Sequence, residues 1–233
     1  MALDSGAVVI VRRSVSGHWD SSNIMTIVLG CDPVSVLLPH GDSLYTCVGS
    51  RVMLLDTCGT VTKSLDVSSD DDHEQSTSIG HMAVAGVGLW VCLDNSSIIS
   101  LYHTESFIHM RDIDIATNVN RVLTARDSHK RSIYVTCLSA AKGLLWVGTN
   151  VGIALTIPLP RLEGVPIISG KANISYHAHF GPVRMFLTLN TSVMTTNHET
   201  THGHVSRRHS ANVGDHKTIQ VWVYGSYSSL IKL

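Results

Sequence analysis

Leu44-Tyr45-Thr46-Cys47-Val48-Gly49, Leu89-Trp90-Val91-Cys92-Leu93-Asp94 and Leu145-Trp146-Val147-Gly148-Thr149-Asn150 are three versions of one strand. Each sets a leucine before an aromatic residue, skips a position, places a cysteine or glycine, and then reaches a turn-former. A second apolar run follows each: Val52 to Asp56, Ile98 to Tyr102 and Ile153 to Ile157. Another precedes each: Val34 to Leu38, Ile79 to Val84 and Ile133 to Leu138. Short runs of β-branched and aromatic residues, punctuated by Gly, Asn, Asp and Ser, are the rhythm of consecutive strands.

The aromatic position recurs after 45 residues and again after 56, the longer interval holding a loop around Arg126 to Lys130. Several strands per repeat at such a period describe the blades of a β-propeller. A lone blade cannot bury both its faces, so blades stack around an axis and cover one another. The aromatic residue is then expected to fill the gap between neighbours, which makes Tyr45, Trp90 and Trp146 equivalent and buried. A degenerate fourth unit runs from Pro182-Val183-Arg184-Met185-Phe186-Leu187 to Thr218-Ile219-Gln220-Val221-Trp222-Val223-Tyr224, in the manner of a diverged WD-type repeat. Strands at Ala7 to Val11 and Ile24 to Leu29 complete part of an earlier blade. The fold expected is therefore all-β, a partial propeller of about four blades. Residues 6–190 form blades, 191–216 are a Thr-, His- and Ser-rich insertion loop, and 217–226 are a further propeller strand. Ser68 to Glu74 reads as another solvated loop.

Of the 233 residues, 44% are hydrophobic and 15% charged, enough for a packed core, and the formal net charge is −1. A surface that tracks phosphates carries a basic excess, so nucleic acid is excluded as a partner class. Five cysteines show neither a CxxC pair nor metal-ligand spacing. Three of them (Cys47, Cys92 and Cys137) sit in apolar runs, as small buried hydrophobes. The first residues, Met1 to Gly6, do not read as a signal peptide, so the Asn95, Asn173 and Asn190 sequons carry little weight. Leu144 to Leu159, the most apolar stretch, is interrupted by Gly148, Asn150, Gly152 and Pro158 and is too short to span a membrane. A cytoplasmic location is expected.

A set of strings in consistent order resembles the carboxy-terminal propeller region of Dbl-class Rho guanine nucleotide exchange factors. It comprises His81-Met82 with Gly86-Val87-Gly88-Leu89-Trp90, Tyr102-His103-Thr104-Glu105, Asp112-Ile113-Asp114-Ile115-Ala116-Thr117 and Gly143 to Thr149. Pro158-Leu159-Pro160-Arg161-Leu162-Glu163-Gly164, and Ser175-Tyr176-His177-Ala178-His179 with Gly181-Pro182-Val183, complete it. The resemblance covers roughly residues 6 to 190 and the strand around Trp222. It implies a parent protein in which a helical exchange domain and a membrane-recognition domain precede the propeller, acting on a Rho-family GTPase in actin-cytoskeleton signalling. For this chain it implies protein binding or regulation of exchange. No window here has the sustained three-and-four apolar spacing of the exchange bundle, so no catalytic residue is carried over and the chain is expected not to be an enzyme. The JNK-interacting motor-adaptor scaffolds are a second, weaker resemblance, through the Leu-Trp-Val-Gly-Thr string.

One constellation points to a different class. His198-Glu199-Thr200-Thr201-His202 is an HExxH string, which in a zinc hydrolase sets two imidazoles on one helical face with a glutamate over the metal-bound water. Its flanks, Val193 to Asn197 and Gly203-His204, favour strand or loop instead. The extended form of the motif would need a glycine at Val205 and a histidine at Arg208, with His209 one place late. Adventitious metal binding by His198, His202, His204 and His209 is an alternative to zinc hydrolysis, and the bland reading is a polar loop rich in histidine. His177 and His179 suit backbone hydrogen bonds where a blade begins, and Trp90 and Trp146 suit inter-blade packing rather than ligand stacking. Arg207-Arg208 is too short for a nucleic-acid patch, and Ile231-Lys232-Leu233 suits a PDZ groove only by its apolar last residue. No catalytic, cofactor-binding or metal-binding residue is assigned, and no cofactor is expected.

Overall fold

The computed structural model describes residues 1–67, 78–123, 132–159, 172–174, 181–192, 217–225 and 231–232. It opens with a hairpin of β1 (Ala7–Arg13) and β2 (Trp19–Val28). Blade I is β3 (Val34–His40), β4 (Ser43–Val48), β5 (Arg51–Leu55) and β6 (Val61–Asp66). Blade II is β7 (Ile79–Ala85), β8 (Gly88–Leu93), β9 (Ile98–His103) and β10 (His109–Asp114). Blade III is β11 (Val135–Ala141), β12 (Leu144–Thr149), β13 (Ala154–Pro158) and β14 (Asn173–Ile174). Blade IV contributes β15 (Val183–Ser192), β16 (Lys217–Gly225) and β17 (Ile231–Lys232). Every pairing is antiparallel between neighbours in sequence. The first strands β3, β7, β11 and β15 lie side by side around the axis, and each sheet runs outward from there. Among the described residues the array is β apart from one short helix, and its sheets do not close into a ring: a partial propeller, as expected.

The second strand of each blade shows why the repeat reads as it does. Side chains alternate across a strand, so one set faces the following blade and the other the preceding one. Tyr45, Trp90 and Trp146 each stand third in that strand, face forward, and are 3%, 1% and 8% exposed. Leu89 and Val91, or Leu145 and Val147, point back into the core shared with the preceding blade. Four apolar cores result, one at each junction from the first hairpin to blade IV.

The cysteine-or-glycine position also faces forward and must stay small. Cys47 Sγ lies 3.3 Å from Met82 Sδ of blade II. A Cβ on Gly148 would meet Val183 Cγ1 at 2.8 Å and Cys137 Sγ at 2.5 Å, so the close approach of blades III and IV excludes even alanine there without a shift. Burial pushes the Cys92 and Cys137 thiols up to about 12, and Cys47 is raised further. Cys47 and Cys92 are buried and Cys137 is half-buried, whereas Cys31 and Cys58 are exposed.

The first hairpin is the outer half of an earlier blade. Leu3 N–H donates to Ala7 O and Gly6 N–H to Leu3 O, which repeats Thr149 N–H to Ile153 O and Gly152 N–H to Thr149 O in blade III. Met1 to Leu3 thus occupy the end of a second strand, and Ala2 bridges Val8 as Gly148 pairs with Ala154. β1 and β2 are then the third and fourth strands.

One element was not anticipated from the sequence: helix α1 (Ala116–Leu123), between blades II and III. Ala116 N–H donates to Asp114 Oδ1 at 2.9 Å, which caps the first turn, and Val119 is buried in the core between the two blades. The expected loops at Ser68 to Glu74 and Arg126 to Lys130 lie outside the described residues. So does the stretch 193–216 of the expected insertion, between β15 and β16.

Candidate interaction face

The end of the array where the first strands begin carries the repeated polar construction. Each of these strands slips register near its start: between Val34 and Val36, Ile79 and His81, Val135 and Cys137, and Val183 and Met185. The residue inserted is Ser35, Gly80, Thr136 or Arg184. A bulge re-aims the strand and turns its extra residue out of the ladder, so each blade presents one unpaired position near the axis. The residues just before the slip (Val34, Ile79, Val135 and Val183) are buried anchors.

Backbone bonds lock each bulge to its neighbour. Val34 N–H donates to Leu3 O, Ile79 N–H to Gly49 O and Val135 N–H to Ser96 O, at 3.1, 2.9 and 2.9 Å. The acceptor each time is at or beside the turn after the preceding sheet's second strand. Within a blade, Asp94 N–H reaches Ser78 O and Asn150 N–H reaches Tyr134 O. Ser78 Oγ donates to Asp94 Oδ2, and Tyr134 N–H to Asn150 Oδ1. Thr136 Oγ1 donates to Val183 O at 2.5 Å, tying blade III to blade IV.

Between blades II, III and IV these parts enclose an open cleft of about 350 Å³. It is lined by His81, Asp94, Asn95, Tyr134, Val135, Thr136, Pro182 and Arg184. Glycine at the bulge of blade II leaves room for the Asp94 side chain, because a Cβ on Gly80 would lie 2.1 Å from Asp94 Oδ1 and the carboxylate would have to move. The carboxylate therefore folds over that bulge beside His81. Burial lowers the His81 pKa, opposed by the Asp94 charge and by a hydrogen bond to the Val135 backbone, so the imidazole favours its neutral form. Asn95 holds φ at +56°, a left-handed conformation asparagine tolerates. The cleft offers a carboxylate, an imidazole, a phenol and a guanidinium on a rigid floor, which suits recognition of polar protein groups.

His81 entered the sequence reading only within the resemblance, and the other lining side chains were not singled out as a site. Their one sequence signal is that Gly49, Asp94 and Asn150 share the place after the repeated strand. Tyr45, Trp90 and Trp146 are packed between blades, as expected. His177, His179, Arg207, Arg208, Leu233 and the His198–His202 motif with His204 and His209 lie outside the described residues. Among the described residues no group of three or more His, Cys, Asp or Glu is placed to hold a metal ion, and no helix is long and apolar enough to cross a membrane.

The family model described as "WD40 repeated domain" matches residues 1–221. Human Rho guanine nucleotide exchange factor 10 is 38% identical over 191 residues, which is 82% of this chain. The chain spans only 13% of that protein's length. JNK-interacting protein 3 of Drosophila melanogaster is 24% identical over 201 residues, 81% of this chain and 16% of the relative. The crystal structure of Saccharomyces cerevisiae Sqt1 superposes with a TM-score of 0.56 at 11% identity, covering 96% of this chain and 65% of that one, a likeness of fold alone. Repeat, blade architecture and family match agree: the chain belongs to the WD40 repeated-domain family and is homologous to a stretch of the Rho guanine nucleotide exchange factor 10 proteins.

Proposed function

We propose that this chain is the interaction propeller of a Rho guanine nucleotide exchange factor, with no exchange activity of its own. It binds a protein partner through the polar end of its blades and, in the polypeptide that carries it, regulates exchange on a Rho-family GTPase in cytoplasmic, actin-directed signalling. The observation that carries this reading is the 38% identity to the human exchange factor over 191 residues, 82% of the chain. The histidine-rich residues 191–216 belong to it as an insertion within the last blade. The lower likeness to a JNK-interacting protein supports a second reading, the propeller of a motor-adaptor scaffold.

Two measurements test the proposal. Purified chain, mixed at sub-stoichiometric amounts with Rho-family GTPases carrying a fluorescent nucleotide, is expected to leave the release rate unchanged; catalytic acceleration overturns it. Affinity capture with the chain and with a Tyr134→Ala/Arg184→Glu variant addresses the face itself. The partner is expected to be retained by the first and lost by the second, and equal capture by both would move the binding surface elsewhere.

A further inference from the structure

The turn after the repeated strand sets one residue at the same point of blades I, II and III: Gly49, Asp94 and Asn150. Asn150 spends its whole side chain on its own blade. Its Oδ1 accepts from Tyr134 N–H at 3.0 Å, and its Nδ2 donates to Ser132 O at 2.8 Å. Asp94 is spent only by half. Its Oδ2 accepts the Ser78 hydroxyl, whereas Oδ1 lies over the Gly80 bulge with no hydrogen-bond donor among the described residues. Asp94 is exposed, lines the cleft between blades II, III and IV, and has no cationic partner among the described residues.

The surroundings leave that oxygen open. Ser35, Thr136 and Arg184 occupy the bulge in the other blades, so blade II alone among the four puts no side chain beside its turn. The Thr136 hydroxyl is committed to Val183 O, and neutral His81 has a single N–H, which the Val135 backbone engages. Arg184 lines the blade IV side of the cleft and forms no ion pair with Asp94. A fixed carboxylate oxygen in this state is satisfied best by a group that brings positive charge and N–H donors together. We infer that the cleft receives an arginine side chain of the protein partner, with Asp94 as its anchor. Arginine suits the site better than lysine, because the guanidinium is planar, weakly hydrated and stacks on aromatic rings such as that of Tyr134. The polar end is here taken as the partner face, as proposed above, and Asp94 gives that face its selectivity.

A nuclear magnetic resonance titration tests this with the isotope-labelled full chain and an Asp94→Asn variant. Asparagine keeps the shape and still accepts the Ser78 hydroxyl, and circular dichroism verifies the fold. The probes are N-acetyl-arginine methylamide, its lysine and glutamate counterparts, and the uncharged citrulline isostere. The arginine probe is expected to shift the amides of Gly80, His81, Asp94 and Asn95 saturably, and the citrulline probe to leave them in place. Asp94→Asn is expected to weaken arginine binding about tenfold or more, the scale of a lost hydrogen bond to a charged group. Absence of a saturable shift, equal shifts from citrulline, or unchanged affinity in Asp94→Asn overturns the inference. So does equal or tighter binding of the lysine probe, or binding of the glutamate probe at the same amides, which would give the cleft to an acidic partner. Failure of the face itself reads differently in the capture experiment. A partner lost by Tyr134→Ala/Arg184→Glu but held fully by Asp94→Asn leaves the face standing and removes Asp94 as its anchor. A partner held by both variants overturns face and anchor together.

Discussion

Trp90 and Trp146 occupy the same place in successive blades, yet their indole N–H groups meet different fates. Trp146 Nε1 donates to Ala141 O at 3.3 Å, whereas among the described residues the buried Trp90 Nε1 has no acceptor. Replacement by phenylalanine removes the same fused ring in both, so the lost apolar area nearly cancels in a comparison. The difference in exposure, 1% against 8%, corresponds to about 0.4 kcal/mol at the usual coefficient and disfavours the Trp90 change. The N–H contribution acts the other way and is larger. Trp90→Phe relieves an unsatisfied buried donor, worth about 1–3 kcal/mol, while Trp146→Phe breaks a hydrogen bond worth roughly 0.5–1.5 kcal/mol. Trp146→Phe is therefore expected to be the more destabilising substitution by about 1–4 kcal/mol. Urea unfolding followed by far-ultraviolet circular dichroism, at concentrations low enough to keep the chain monomeric, measures both changes. Equal costs, or a larger cost at Trp90, would refute the assignment of the orphan donor and with it the detailed packing of the junction between blades II and III.

Three further outcomes are expected. The His81 pKa is lowered on folding from about 6.5, so the unfolded chain binds the extra proton first; stability is full above that value and falls as pH drops through it, and His81→Gln should flatten this part of a pH-stability profile. With a thiol-reactive chromophore, Cys31 and Cys58 should react at once and Cys47, Cys92 and Cys137 only on unfolding, because burial disfavours their thiolates; rapid labelling of all five would contradict the cores described. Replacing residues 195 to 214 with a short Gly-Ser link should leave the melting temperature nearly unchanged, since closure entropy depends only logarithmically on length; a large fall, or one bound zinc per chain beforehand, would favour an ordered metal site at His198 and His202.

The fold was legible where the sequence repeats. Tyr45, Trp90 and Trp146 align because each has to fill the same gap, and period-two alternation sends Trp90 and Cys92 forward and Leu89 and Val91 back. Helix α1 escaped notice because its apolar stripe is only two turns long, Ala116, Val119 and Leu123, and its cap at Asp114 reads equally well as a turn. The cleft was illegible for a different reason. His81, Asp94, Tyr134 and Arg184 come from three blades and meet only through the bulges, and a bulge is a fact of register: Ser35, Gly80, Thr136 and Arg184 share no residue type that would announce it.

The backbone bonds that run from Val34, Ile79 and Val135 to the turn of the preceding sheet make the chain a one-dimensional lattice of coupled units. In such a lattice stability is close to a sum of unit and nearest-neighbour energies, and an interior unit cannot open without breaking two couplings while a terminal one breaks a single coupling. Cooperativity is therefore graded along the chain. Amide protection should peak in β8 and β12 and decline toward β1 and β15, so that unfolding advances inward as a pair of fronts.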